Sequence, residues 1–205
     1  MPYDAKSTLA DFLAAAAAKQ PTPGGGSVTA LVGALAASMG EMVLNYSVGK
    51  KSLAAHQPEL SAALVKFTKA RAMLVELMVE DQAAYQALTD TKKLPENSPG
   101  RSQLVELSRA AVAVPMTMAA TAVAVIDLAE KVAPIVNTYL LSDLAVCADL
   151  AMATVRCASY NVKVNLPDLP SDIDRKKMRD QMDTLLLDAT MSVQRASAAI
   201  WQKGT

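Results

Sequence analysis

The sequence predicts an all-α fold: one domain over residues 1–205, built as an up-and-down bundle of about six helices. Three observations carry this. Alanine accounts for 38 of 205 residues and aromatics for only 4%, so helix formers and small side chains outnumber the residues that crowd β-sheets. Apolar residues recur at offsets of three and four, with no convincing alternation over the length of a strand. Proline- and glycine-rich breaks then divide the apolar runs into separate helices. With 52% hydrophobic and 20% charged residues, the chain has ample material for a core.

Each element follows from its punctuation. Ser7 is placed to cap a short helix from Thr8 to Lys19, which must end before Pro21. In Pro21-Thr22-Pro23-Gly24-Gly25-Gly26-Ser27 the prolines forbid helix and the glycines open the backbone. A second helix starts at Gly26 or Ser27 and runs to Val48, carrying Gly26, Ala30, Gly33, Ala37 and Gly40 as a small-residue stripe that admits a close neighbour. Pro58 opens a third helix to Asp90, long enough for about three coiled-coil-like layers. Ser98-Pro99 starts a fourth, to Lys131, in which Pro115 is a kink site. The fifth spans Thr138 to Lys163, and Ser171 caps the last, to Gln202.

Composition excludes several function classes. Twenty basic and twenty acidic side chains leave no cationic surplus for a nucleic-acid backbone. Residues 20–40 and 110–126 are uncharged, but the first opens on Pro and Gly and the second is shorter than the roughly 20 residues of a membrane span, so both read as buried bundle helices. Met1 to Lys6 lack a secretory n-region, and Cys147 and Cys157, about 15 Å apart along one helix, are too distant for a disulfide. A cytoplasmic protein with reduced thiols is expected. His56 is the only imidazole and reads as an exposed loop residue, so neither a zinc site nor a Ser-His-Asp triad is expected.

Carboxylates are the remaining chemistry. Asp81 shares a stripe with Leu77, Met78, Ala84, Tyr85 and Leu88, and Asp143 with Cys147, Leu150, Ala151 and Thr154. Acids on inward faces are either desolvated acid/base groups or buried polar anchors. Asp127 and Lys131 read as a solvated i, i+4 pair. The glycine run lacks the Gly-Lys-Ser/Thr ending of a phosphate loop, which leaves a backbone cradle for an anionic or planar ligand, or a tight turn. Lys50 and Lys51 stand just past a helix C-terminus, favourable to its dipole and also available to an acidic ligand.

Taken together, the Pro-x-Pro-Gly-Gly-Gly-Ser entry, the Gly/Ala helix, Gly49-Lys50-Lys51, Asp81, Asn137 with Ser142-Asp143, and Asn161-Val162 resemble, in order and over nearly the whole chain, the cyclodeaminase/cyclohydrolase family of folate enzymes. Ser52-Leu53 stands where members often carry an aromatic. The resemblance implies a homodimeric helical bundle that binds folate near the subunit contact. It also implies a reaction at the N5/N10 one-carbon unit of tetrahydrofolate, without metal or other cofactor. Two reactions fit: hydrolysis of 5,10-methenyltetrahydrofolate to the 10-formyl form, or cyclisation of 5-formiminotetrahydrofolate with loss of ammonia. A non-catalytic folate-binding or structural dimer is the alternative. On this resemblance Asp143 and Asp81 transfer protons or pair with the cationic one-carbon centre. Pro23, Gly24, Gly25, Gly26 and Ser27 admit the pterin, Lys50 and Lys51 hold the glutamate carboxylates of a folate that can be polyglutamylated, and Asn137 and Ser142 orient it.

Overall fold

The computed structural model describes residues 3–204, so Met1 and Pro2 of the expected leaderless N-terminus lie outside the described residues. Six α-helices follow one another: α1 (Leu9–Ala17), α2 (Gly25–Asn45), α3 (Gln57–Lys92), α4 (Leu104–Val132), α5 (Leu141–Asn165) and α6 (Asp172–Gly204), among the described residues without a strand. Helices α2, α3, α4 and α5 form a closed ring in which each packs on the next and α5 returns to α2. Helix α6 lies in the outer groove between α4 and α5.

The register of the ring is written in glycine. Gly26, Gly33 and Gly40 recur every seven residues on α2. Against them, in antiparallel order, lie Asp81, Leu74 and Phe67 of α3, also seven apart. On the other flank Asn161 meets the α2 start, Thr154 meets Gly33, and Cys147 accepts a backbone hydrogen bond from Gly40. A β-carbon at Gly33 would sit 3.0 Å from both Leu74 Cδ2 and Thr154 Cγ2; at Gly40 it would sit 2.2 Å from Phe67 Cε1. Two helices therefore close on α2 at once, in three layers repeating every seven residues, the spacing of coiled-coil seams. The small-residue stripe faces the chain's own core: Ala30, Ala37, Phe67, Leu74, Val125 and Ala151 are all inaccessible to solvent.

Several boundaries differ from the sequence reading, each for a local reason. Thr8, rather than Ser7, caps α1, because its Oγ1 accepts the Asp11 N–H while donating to Asp11 Oδ2. Helix α1 stops at Ala17, so Lys19 is outside it, and the chain passes extended through Ala18 toward the prolines. Helix α2 begins at Gly25 and ends at Asn45, and Gly49 then takes the left-handed conformation (φ +79°) that turns the chain back. Short 3₁₀ turns, Pro99–Gln103 and Thr138–Leu140, precede α4 and α5. Helix α4 continues through Pro115. Ser171 does cap α6, its Oγ accepting the N–H groups of Ile173 and Asp174. His56 closes a 3₁₀ turn and is half-buried rather than exposed. Asp127 and Lys131 form no ion pair; their neighbour Glu130 instead bonds Arg195 of α6 at 3.0 Å. Cys147 is buried, its thiol pushed up to about 12 by desolvation, whereas Cys157 is exposed rather than a core thiol.

Length alone does not exclude a membrane span, as the sequence had implied. Three stretches, Gly25–Asn45, Pro99–Val132 and Thr138–Asp168, are long and apolar enough to cross one, and 56, 44 and 44% of their most apolar windows is buried inside the bundle. Packing of α2, α4 and α5 on each other accounts for the buried share, and the rest leaves an apolar outer surface.

A glycine-floored cleft and a lysine–asparagine cluster

Sequence-marked residues gather at opposite ends of the bundle. At the first end, the Pro21–Gly24 entry, with Pro23 buried behind a cis peptide, delivers the chain to the N-terminus of α2. Gly26 touches Asp81 so closely that a β-carbon there would lie 1.9 Å from Asp81 Oδ1. Only glycine permits this carboxyl to rest on the first turn of α2. Buried Ser27 donates its Oγ–H to Asp81 Oδ2 at 3.0 Å, and its backbone N–H also bonds the carboxyl. Desolvation nevertheless dominates and raises the Asp81 pKa above its ordinary 3.8, the Ser27 bonds opposing it only in part.

This carboxyl opens onto a cleft of about 210 Å³. One wall is α3, with Asp81, Ala84, Tyr85 and Leu88; the opposite wall is α5, with Asn161, Val164 and Asn165. The glycine turn forms its end, and Ala111 and Val114 of α4 its back. Thr29 ties the parts together, donating to Gly25 O at 2.7 Å and accepting from Asn161 Nδ2 at 3.3 Å.

The second cluster surrounds the turn after α2. Gln57 clamps that turn, accepting the Gly49 N–H at 2.6 Å and donating to Leu53 O at 3.0 Å. Lys50 reaches the turn before α5, where Nζ donates to Asn137 Oδ1 at 2.8 Å and lies 5.7 Å from the centre of the Tyr139 ring. Buried Ser47 Oγ accepts the Asn137 N–H at 3.0 Å, fixing the two turns together. Tyr139, 87% exposed, thus places an aromatic beside Lys50 although Leu53 follows the lysine pair. Lys51 is exposed; exposed Ser142 and half-buried Asp143 follow in the first turn of α5. Among the described residues no hydrogen bond or ion pair engages the Asp143 side chain.

The structure therefore brings Gly24, Gly25, Gly26, Ser27 and Asp81 together, and separately joins Lys50 to Asn137. It does not bring the two acids together. Asn161, beside Gly25, lies 18 residues along α5 from Asp143, about 27 Å at 1.5 Å per residue. Sequence reasoning passed over Asn165, Ser47 and the wall position of Tyr85. The i, i+4 spacing of Asn161 and Asn165 on one helix face was the available signal. Among the described residues no group of three His, Cys, Asp or Glu side chains stands close enough to hold a metal ion.

A desolvated carboxyl lining a cleft on a helical frame is a candidate acid/base group. The kinship of the chain is more specific. The sequence profile described as Formiminotransferase-cyclodeaminase matches residues 8–184, and the chain belongs to that family. The chain is 32% identical over 187 residues to the Methenyltetrahydrofolate cyclohydrolase of Methylorubrum extorquens, covering 89% of this chain and 90% of that one. It is also 32% identical over 188 residues to the Formimidoyltransferase-cyclodeaminase of Rattus norvegicus, again over 89% of this chain but only 35% of the rat protein, so it spans about a third of that relative. The crystal structure of formiminotetrahydrofolate cyclodeaminase from Thermotoga maritima superposes with a TM-score of 0.88 at 28% identity, over 96% of this chain and 97% of that one.

Proposed function

We propose that the chain is a folate one-carbon enzyme acting at the N5/N10 unit of tetrahydrofolate, as a methenyltetrahydrofolate cyclohydrolase or a formiminotetrahydrofolate cyclodeaminase. The observation that carries this is Asp81, a carboxyl of raised pKa held at the mouth of a folate-family cleft. In either reaction a nitrogen leaves the one-carbon carbon and must be protonated: N5 when the methenyl ring opens, ammonia when the formimino group cyclises. An acid whose pKa is raised toward neutrality is suited to that transfer. The same group, once ionised, faces the cationic one-carbon centre. Neither reaction changes oxidation state, and neither requires a metal or further cofactor. Relatives of full length carry both names, so chain length does not favour one reaction over the other.

The test follows the 5,10-methenyl chromophore by absorbance at catalytic enzyme concentration. A cyclohydrolase bleaches it when supplied with methenyltetrahydrofolate, whereas a cyclodeaminase generates it from the formimino substrate with release of ammonia. A spectral change that stops at one equivalent per site would instead identify a binding protein.

The homodimer belongs to the same proposal. Val28 and Leu35 on α2 and Tyr46 just past its end, with half-buried Leu31, Met39 and Met42, make one exposed apolar row, and Val146, Tyr160 and Val164 on α5 make another beside it. Isologous pairing of this face about a two-fold axis perpendicular to α2 sets the helices of two copies antiparallel. The glycine cleft of one copy then approaches the partner's Lys50–Asn137 turn and Asp143, about 30 Å away within one chain at 1.5 Å per residue. Asp143 and Asp81 would thereby serve one site, with Lys50 or Lys51 meeting the glutamate tail and Asn137 and Ser142 orienting the substrate. A shared site makes complementation the expected result. Asp81→Asn and Lys50→Ala/Asp143→Asn homodimers should each be nearly inactive, and their mixture after subunit exchange should recover about a quarter of wild-type sites if half the dimers are mixed and one of their two sites is intact. A mixture no more active than its components would assign each site to one chain. A cytosolic location goes with this substrate and with free Cys147 and Cys157.

A further inference from the structure

Asn161 and Asn165 are both oriented by their amide nitrogens. Asn161 Nδ2 donates to Cys157 O at 2.9 Å and to Thr29 Oγ1 at 3.3 Å; Asn165 Nδ2 donates to Ala111 O at 2.8 Å. Carbonyl oxygens can only accept, so both amides are locked with the nitrogen toward the protein. Their oxygens are left over. Among the described residues nothing donates to either Oδ1, and Asn161 Oδ1 stands 3.4 Å from the position a β-carbon on Gly25 would take, at the floor of the cleft. The α5 wall therefore presents two unengaged amide oxygens, one helical turn apart, about 6 Å along the axis; both N–H groups of Asn161 are used, and one of the two on Asn165.

We propose that this pair reads the donor edge of the reduced pterin, Asn161 accepting from N8–H and Asn165 from the 2-amino group; this rests on the folate reading above. A tetrahydropterin has the required asymmetry. N5, which carries the one-carbon unit, lies on the opposite edge of the reduced ring from N8, and the 2-amino group continues along the N8 side. Asp81 and Asn161 sit on opposite walls at the level of the glycine turn, and Asn165 lies one turn further from it. With N5 toward Asp81, N8 falls to Asn161 and the pyrimidine ring extends toward Asn165, between Tyr85 and Leu88 on one side and Val164 on the other. The acceptors thus fix which edge faces the acid, and hence where the reacting carbon sits. They are specificity-determining and positioning residues, not proton carriers.

The experiment compares equilibrium binding of tetrahydrofolate, its 8-deaza analogue and its 2-desamino-2-methyl analogue to the full chain. Wild type should bind each analogue about tenfold more weakly than the parent, the cost of one unsatisfied buried acceptor. Asn161→Leu should abolish discrimination against the 8-deaza compound alone, and Asn165→Leu against the 2-desamino compound alone. In turnover both variants should raise KM by a similar factor with kcat less affected. Wild type binding all three compounds equally overturns the edge assignment, whether or not the variants fold, because that arm needs no substitution. Discrimination that persists unchanged in folded variants overturns it as well. Failure of wild type to bind tetrahydrofolate at all sinks the folate reading itself, and is distinguishable from either.

Discussion

Replacing Asp81 by Asn is expected to lower kcat by about 10²- to 10⁴-fold, the range for loss of a positioned general acid or base, while leaving the protein at least as stable at neutral pH. The stability half follows from the raised pKa. Above pH 3.8 the unfolded chain releases this proton while the folded chain retains it, so stability falls as pH rises through the interval up to the folded pKa. The loss is complete above that interval and absent below it. Asn carries no charge to desolvate and can still accept from Ser27, so Asp81→Asn should melt at or above wild type at pH 7, with the difference fading as pH approaches 4. Melting curves at several pH values, beside turnover, check both halves. A variant that is both inactive and markedly less stable at pH 7 would make Asp81 a structural anchor rather than a catalytic one.

Gly40→Ala should damage the fold without touching the cleft. The added methyl would lie 2.2 Å from Cε1 and 2.6 Å from Cδ1 and Cζ of Phe67, a ring with no solvent exposure and no flexible end to swing aside. Overpacking of this kind costs about 1–3 kcal/mol, or roughly 2–12 °C in Tm for a chain of this size. Phe67→Leu alone leaves a void, and combined with Gly40→Ala it makes room for the methyl. The double variant should therefore be more stable than the sum of the two single losses requires. Strict additivity in thermal melts would mean that the two positions do not share the contact.

Much of the local structure was legible. Prolines and glycines marked the helix breaks, Ser171 its cap, and the apolar stripe through Leu77 and Leu88 turned Asp81 inward, where it is. The same stripe logic put Asp143 on an inward face of α5, but its distance from the cleft within one chain was not legible. A helical period states which residues share a face, but not which helix that face meets. Asp143 is half-buried at the far end of α5, and only antiparallel packing of α5 on α2 shows that about 27 Å of helix separates it from the cleft. The bond from Lys50 to Asn137, 87 residues on, is likewise a contact that no spacing within one helix contains.

From the sequence alone came the helical class, the order of its elements, the small-residue stripe of α2 and the family resemblance, because each is local in the chain or a fixed string of residue types. Tertiary structure decided which surfaces those glycines serve, that Asp81 and Asn161 face each other across one cleft, and that Lys50 and Asn137 form a second cluster. These are outcomes of packing between segments 54 to 136 residues apart, such as Ser27 with Asp81 and Gly25 with Asn161. Helix–helix contact is chosen by how whole side-chain surfaces interlock and exclude water, and no periodicity within one helix contains that choice.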